Sequence, residues 1–165
     1  TYILDPVLGD GGRLYVAQEI AEAMMAELLP RADIITPNHY ELSWLAGRDV
    51  GGQDDSARAA GDLIDRYGLK AVVTTGVTGG GRTGDLLVTA DNGTHWQAAG
   101  DAGKNVAGGG DLLTALLAGM LNLGWQLPDA FKAASHTAQS IIAASPGGRD
   151  LALLESLETV RALAR

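Results

Sequence analysis

Three consecutive glycines run straight into an acid at Gly108-Gly109-Gly110-Asp111, and an apolar helical pattern, Leu112-Leu113-Thr114-Ala115-Leu116-Leu117, begins at once. Glycines let the backbone turn its N–H groups toward one point with no Cβ in the way. A helix N-terminus adds further N–H groups and the positive end of the helix dipole. Together these form a hole for an anion, phosphate foremost. The aspartate is the odd member, because it brings negative charge to where the ligand's charge must sit. Taken alone, Asp111 is an N-cap or first-turn acid. Taken as chemistry, it is a carboxylate beside a phosphate, placed to accept a proton.

Two further stretches have the same ligand-facing character. Asp5-Pro6-Val7-Leu8-Gly9-Asp10 and Thr36-Pro37-Asn38-His39-Tyr40-Glu41 each follow a short apolar run ended by proline. In parallel α/β sheets, ligands bind beyond the carboxyl ends of the strands. Asp5, Asp10, Thr36, Asn38 and Glu41 are therefore expected on one rim, with Thr75 and Gly76 from the end of a third strand. Carboxylate, hydroxyl and amide oxygens suit Mg²⁺ held partly through water. Each motif has a plainer reading: Asp-Pro is a common turn, and Asn38 can simply cap the next helix. Their joint placement points to a nucleotide site.

The elements that must position these residues alternate. Tyr2–Asp5, Asp33–Thr36 and Lys70–Thr75 are expected strands. Val16–Leu29, His39–Ala46 and Asp54–Tyr67 are expected helices, the last with Asp54 or Asp55 as cap and Gly68 as stop. Gly76–Gly84 reads as a glycine-rich loop. Asp85–Thr89 and Thr94–Ala98 flank Asp91-Asn92-Gly93, a hairpin turn signal. Asp111–Leu123 is apolar on nearly every side and is expected to be well buried. A helix opened by Pro128 runs to Ala144, and Asp150–Ala164 is a final amphipathic helix. The pattern predicts an α/β fold, with a largely parallel central sheet, helices on both faces and an antiparallel edge hairpin.

Bulk properties bound the function. The 165 residues fit one domain, and a hydrophobic fraction of 46% is enough for a core. Twelve Lys and Arg against 20 Asp and Glu give a net charge of −8, which argues against a nucleic-acid or membrane-surface binder. There is no cysteine, so disulfides and thiolate chemistry are excluded. No signal peptide or membrane-length apolar run is apparent, and a cytoplasmic protein is expected.

Asp-Pro-Val-Leu-Gly-Asp followed by Leu14-Tyr15-Val16, then Ala32-Asp33-Ile34-Ile35-Thr36-Pro37-Asn38 with Glu41, then Gly-x-Gly-Asp opening an apolar helix, resembles the pyridoxal kinase family of the ribokinase-like superfamily. The resemblance covers most of the chain in order. It implies ATP-dependent phosphorylation of the 5′-hydroxymethyl group of pyridoxal, pyridoxine or pyridoxamine, with Mg²⁺ and often a monovalent cation, K⁺ or Na⁺. It further implies that Asp111 is the general base and that the N–H groups of Gly108, Gly109 and Gly110 hold the γ-phosphate. Asp5 and Asp10 would lie near the cations and phosphates, Thr36, Asn38 and Glu41 in the Mg²⁺–phosphate shell, and Thr75 and Gly76 beside the ATP phosphates. Asp5, Asp10 and Glu41 are thereby the expected metal residues. Two positions depart from the pattern: Gly109 stands where the superfamily often has Thr or Ala, and Gly76 where relatives can have Ser.

The chain opens inside an apparent strand, so the expectation is a single ribokinase-like ATP-binding and catalytic domain, residues 1–165, lacking its N-terminal strands. The family's acceptor pocket and dimer contacts come largely from that portion, and a homodimer is expected at full length. A hydroxymethylpyrimidine kinase of the same superfamily and a nucleotide-binding remnant without activity are the alternatives. Other features have ordinary readings. Gly79–Gly84 fits G-x-G-x-x-G but precedes a strand, whereas a dinucleotide fingerprint opens a helix. It reads as a loop near the nucleotide, with Arg82 on phosphate or solvated. His39, His95 and His136 lack metal-ligand spacing. Lys104 reads as a surface residue, and Trp44, Trp96 and Trp125 as core or edge packing.

Overall fold

The computed structural model describes residues 1–99, 107–146 and 151–163. They fall into two compact units, Thr1–Ala98 and Ala99–Arg165. Lys104 and Asp150 lie outside the described residues.

The first unit is built on a five-stranded sheet in the order β1 (Ile3–Leu4), β4 (Ile34–Ile35), β5 (Ala71–Gly79), β6 (Arg82–Thr89) and β7 (Thr94–Ala98). The first three are parallel, with Ile3, Ile34 and Ala71 in one row and Leu4, Ile35 and Val72 in the next. β5, β6 and β7 are antiparallel neighbours. A separate two-stranded hairpin, β2 (Gly9–Asp10) with β3 (Arg13–Leu14), turns on Gly11 and Gly12, both at positive φ. β5 opens Ala-Val-Val-Thr, all buried, because a strand in the middle of a covered sheet needs apolar side chains on both faces. The α/β architecture with its antiparallel hairpin is the expected one.

Helix α1 spans Gln18–Glu27 and buries only Ala21. Helix α2, His39–Ala46, has its predicted limits because both ends are written locally. Asn38 and Glu41 close a reciprocal capping box, and Gly47 takes the left-handed conformation at the C-cap. Helix α3, Gln53–Tyr67, presents Ser56, Ala59, Ala60, Leu63 and Ile64 on one buried face against β5 and β6. It stops at Gly68, which is left-handed.

Neither Asp54 nor Asp55 caps α3, since Gly52 holds that position. Asp55 instead sits in the first turn, where its carboxylate accepts hydrogen bonds from Arg48 (3.0 Å) and from the Gly51 N–H (2.9 Å). Those partners, Arg48 first, pull its carboxyl down to about 2. A carboxyl depressed in the folded state stabilises fully above its unfolded pKa, and the benefit disappears as pH falls toward the folded value. Denaturant melts should therefore show Asp55→Asn as less stable than the parent above about pH 4, with the gap closing as pH approaches about 2. A gap independent of pH would contradict this.

Several expectations are corrected. Gly76–Gly84 is not a loop: β5 continues to Gly79, and only Gly80 and Gly81, both at positive φ, make the turn into β6. A bulge between Thr74 and Val77, with Gly76 at φ 71°, lets the strand carry on. Arg82 begins β6 opposite Gly79. The first two expected strands shrink to Ile3–Leu4 and Ile34–Ile35, with Pro6 and Pro37 close after them, whereas the third lengthens to Ala71–Gly79. Trp44 and Trp96 pack on the core, whereas Trp125 is exposed.

In the second unit α4 (Gly109–Asn122) and α5 (Leu127–Ala144) pack together, joined by a turn with Gly124 at φ 88°. α4 buries Leu113, Leu116, Leu117 and Met120, one stripe at helical spacing. Ala115, Ala118 and Gly119 are exposed, so the helix is one-sided rather than buried all round. α5 starts one residue before Pro128 and buries Phe131 completely. The last helix, α6, is only Leu157–Ala162, because the residues before it form turns. Among the described residues no helix is long and apolar enough to cross a membrane.

Candidate active site

The carboxyl edge of the parallel strands gathers the first set of residues. Asp5 follows β1 and Thr36 follows β4, and the Thr36 N–H donates to the Leu4 carbonyl at 3.0 Å. Pro37 ends the β4 ladder, yet its carbonyl accepts the Thr75 N–H at 3.1 Å. Asn38 and Thr75 thereby become parallel neighbours. The Asn38 side-chain N–H reaches across to the Gly9 carbonyl at 2.8 Å. Gly9–Asp10, Asn38 and Thr75–Gly76 are thus joined in one row along the rim. Thr36 is buried, Asn38 and Thr75 are half-buried, and Asp10 and Gly76 are exposed.

Glu41 is the buried member. One oxygen accepts the N–H groups of Leu8 (2.6 Å) and Gly9 (3.2 Å), and the other accepts the Asn38 N–H (2.9 Å). Burial pushes its carboxyl above the usual range against the pull of these three donors, and the charge of Asp10 adds to the rise. Asp10 itself faces solvent, with one oxygen on the Gly11 N–H at 2.7 Å.

Among the described residues no three His, Asp or Glu side chains stand together as a metal cage. Mg²⁺ seldom needs one, since it keeps several waters and binds through one or two carboxylates plus substrate phosphates. An exposed Asp10 beside hydroxyl and amide oxygens fits that mode. His39 is engaged elsewhere, with Nε2 at 2.8 Å from the Gly51 carbonyl.

Two features of this rim escaped the sequence. Thr74 is fully buried, and its hydroxyl has no hydrogen-bond partner among the described residues. A buried, unpartnered hydroxyl is uncommon and marks Thr74 as an unsatisfied polar group inside β5. The Thr-Thr pair following the apolar run Ala71-Val72-Val73 was the available signal. Val7 adopts φ 46°, a left-handed conformation rare for a β-branched residue, and no local residue type announces it.

The second unit carries the glycine turn. Gly108 is the N-cap of α4 at φ 88°, so Gly109, Gly110 and Asp111 form the first turn. The first helical bond runs from the Leu112 N–H to the Gly108 carbonyl at 2.9 Å, leaving the N–H groups before it without intrahelical acceptors. No side chain caps them. The glycines differ in what they need. Gly108 requires its left-handed φ, and a Cβ on Gly109 would stand 3.1 Å from the Ile142 Cδ1 atom. Gly110 faces open space. Asp111 is exposed at the third position of the helix. Donors left over at a helix start can bind an anion, and a carboxylate beside them can take up a proton.

The sequence profile of the phosphomethylpyrimidine kinase family matches residues 1–151. The pyridoxal kinase of Arabidopsis thaliana is 32% identical over 155 residues, covering 87% of this chain and 47% of that protein. The crystal structure of pyridoxal kinase from Entamoeba histolytica superposes with a TM-score of 0.85 at 27% identity, covering 98% of this chain and 59% of that one. The pyridoxal kinase from Leishmania donovani, solved with ADP and pyridoxine, gives a TM-score of 0.82 at 25% identity over 96% of this chain and 57% of that one. The chain spans about half the length of the curated relatives it matches. These neighbours share the ribokinase-like fold expected from the sequence.

Proposed function

The chain belongs to the phosphomethylpyrimidine kinase family, and on that premise we propose that it carries the MgATP site and the catalytic base of a kinase acting on vitamin B6. The acceptor is the 5′-hydroxymethyl group of pyridoxal, pyridoxine or pyridoxamine. The observation that carries this reading is the rim row in which Asn38 bonds the carbonyl of Gly9, the residue before Asp10, and pairs with Thr75. That row is suited to a polyphosphate with its metal.

Phosphoryl transfer asks the protein mainly for positioning and charge stabilisation. The N–H groups of Gly108, Gly109 and Gly110 hold the γ-phosphate. The substrate hydroxyl oxygen forms a bond to the γ-phosphorus as the bond to the β–γ bridging oxygen breaks, and ADP departs. The hydroxyl proton passes to the Asp111 carboxylate, which explains an acid at the mouth of an anion hole. Thr75 and Gly76 flank the phosphates from β5. Asp10 and Asp5 are the carboxylates offered to the cations, with Thr36, Asn38 and Glu41 behind them. Bound Mg²⁺ supplies neutralisation of the phosphate charge, and K⁺ or Na⁺ serves as the monovalent partner.

The name of the matching family favours one second reading, a hydroxymethylpyrimidine kinase. Supplying pyridoxal, pyridoxine and hydroxymethylpyrimidine side by side with MgATP to a protein carrying this chain separates the two. The proposal expects the B6 vitamers to have the higher kcat/KM, and preference for the pyrimidine would overturn it. A homodimer and a cytoplasmic location belong to the same reading.

A further inference from the structure

We infer that Asn92 is a site of spontaneous deamidation, at which the Gly93 backbone nitrogen attacks the side-chain amide and water completes the conversion to aspartate and isoaspartate. The inference rests on the turn between β6 and β7 alone and is independent of the nucleotide site.

Hydrogen bonds define that turn. The Asn92 N–H donates to the Thr89 carbonyl at 2.9 Å, and the Thr89 N–H donates to the Gly93 carbonyl at 2.9 Å. Ala90, Asp91 and Asn92 thus form a three-residue hairpin loop, a type whose last residue is left-handed. Asn92 is that residue, at φ 64°. Asparagine is among the few residues besides glycine that visit this conformation readily.

The requirements for ring closure meet here. Asn92 is exposed, so water reaches its amide. Gly93 has no Cβ to shield its nitrogen. Its N–H points at Asp91 Oδ1 from 3.4 Å, longer than an ordinary hydrogen bond, so little holds the nucleophile back. The turn also keeps glycine in place, because a Cβ at position 93 would stand 2.6 Å from the Thr89 Oγ1 atom. Ring closure eclipses the Gly93 nitrogen with the Asn92 Cβ atom. That eclipse needs a ψ of about −120° at Asn92, the value that accompanies a φ of about +60° in a type II′ turn. Asn92 already holds the φ, and one rotation about ψ completes the approach.

The chemistry needs only water. The Gly93 nitrogen gives its proton to solvent and bonds to Asn92 Cγ. The bond from Cγ to Nδ2 breaks, and Nδ2 leaves as ammonia. One water then opens the succinimide ring. Opening at Cγ leaves aspartate, and opening at the main-chain carbonyl leaves isoaspartate, with Cβ and Cγ now part of the backbone. The lengthened backbone cannot keep Thr89 and Gly93 in register. Asn38 and Asn122 supply the contrast. Asn38 is followed by His39, and its side chain is bonded to Gly9 and Glu41. Asn122 is followed by Leu123 and lies in the last turn of α4.

Ageing the chain in mildly alkaline buffer, read by peptide mass spectrometry and by enzymatic methylation of isoaspartate, tests the site. Residue 92 should convert in the folded chain no more than about tenfold slower than in denaturing urea, since opening the turn costs one ordinary hydrogen bond. Asn38 and Asn122 should remain amides over the same period. Asn92→Gly, which fits the turn, should lose the isoaspartate signal. Hydrogen exchange on the aged chain should show the Thr89 amide deprotected in the isoaspartate fraction, while amides of β5 keep their protection. Protection of Asn92 by much more than tenfold on folding, or conversion of Asn38 as fast as Asn92, would overturn the inference. So would isoaspartate formation that persists in Asn92→Gly.

Discussion

Asp111→Asn should lower phosphoryl transfer by about 10²- to 10⁴-fold, the range a positioned acid or base contributes, while MgATP affinity stays within a few-fold. The asymmetry follows from where Asp111 sits. It is in the first turn of α4, exposed, with Gly108 at the N-cap. An amide of the same shape keeps the helix start and its N–H groups, so the phosphate hole survives. What it cannot do is take the proton of the attacking hydroxyl. Removing a carboxylate from beside a phosphate also removes a repulsion, so nucleotide binding is not expected to weaken. Single-turnover transfer and equilibrium ATP binding, measured on the same preparation, separate the two quantities. A near-normal transfer rate would reject the base assignment, and a collapse of affinity would assign Asp111 to binding.

Gly9→Ala should cost about 3 kcal/mol of stability, at the upper end of ordinary overpacking, and should weaken MgATP binding by more than any conservative change on the rim. A Cβ at position 9 would overlap the Arg13 carbonyl oxygen and stand 2.7 Å from the Tyr40 ring and 2.9 Å from the Leu14 Cα atom. Two of these three obstacles are backbone of the paired strand, so no side-chain rotation relieves them. The β2–β3 hairpin must separate, carrying Asp10 away from Asn38. Gly11 and Gly12 provide the contrast, since a Cβ at either meets nothing within 4 Å and the cost there is only that of a left-handed φ. Urea melts of the three alanine variants should rank Gly9 well above the other two. Equal costs would show that the close approach at Gly9 is relieved by movement.

What the sequence disclosed was local. Asn38, Glu41 and Gly47 lie within ten residues of one another and fix both ends of α2, so His39–Ala46 was legible to the residue. Asn92, at φ 64°, makes the turn that Asp91-Asn92-Gly93 announces. The rim was legible because proline marks the ends of β1 and β4. Long-range pairing was not. Val77, Thr78 and Gly79 look like loop residues, but pairing with Gly84, Thr83 and Arg82 makes them strand once Gly76 absorbs the bulge. The bonding of Glu41 is hidden for the same reason, since its partners Leu8 and Gly9 are brought to it only by the fold. The requirement at Gly9 comes from Arg13, Leu14 and Tyr40, and neither spacing nor composition encodes it.

The central proposal is that the rim serves a metal-bound triphosphate, and calorimetric titration of the chain with ATP, with and without Mg²⁺, tests it most directly. The account predicts saturable binding that requires Mg²⁺ and weakens about tenfold in Asp10→Asn, the loss expected when a charge-assisted contact is removed. Absence of binding, or binding indifferent both to Mg²⁺ and to Asp10→Asn, would contradict it.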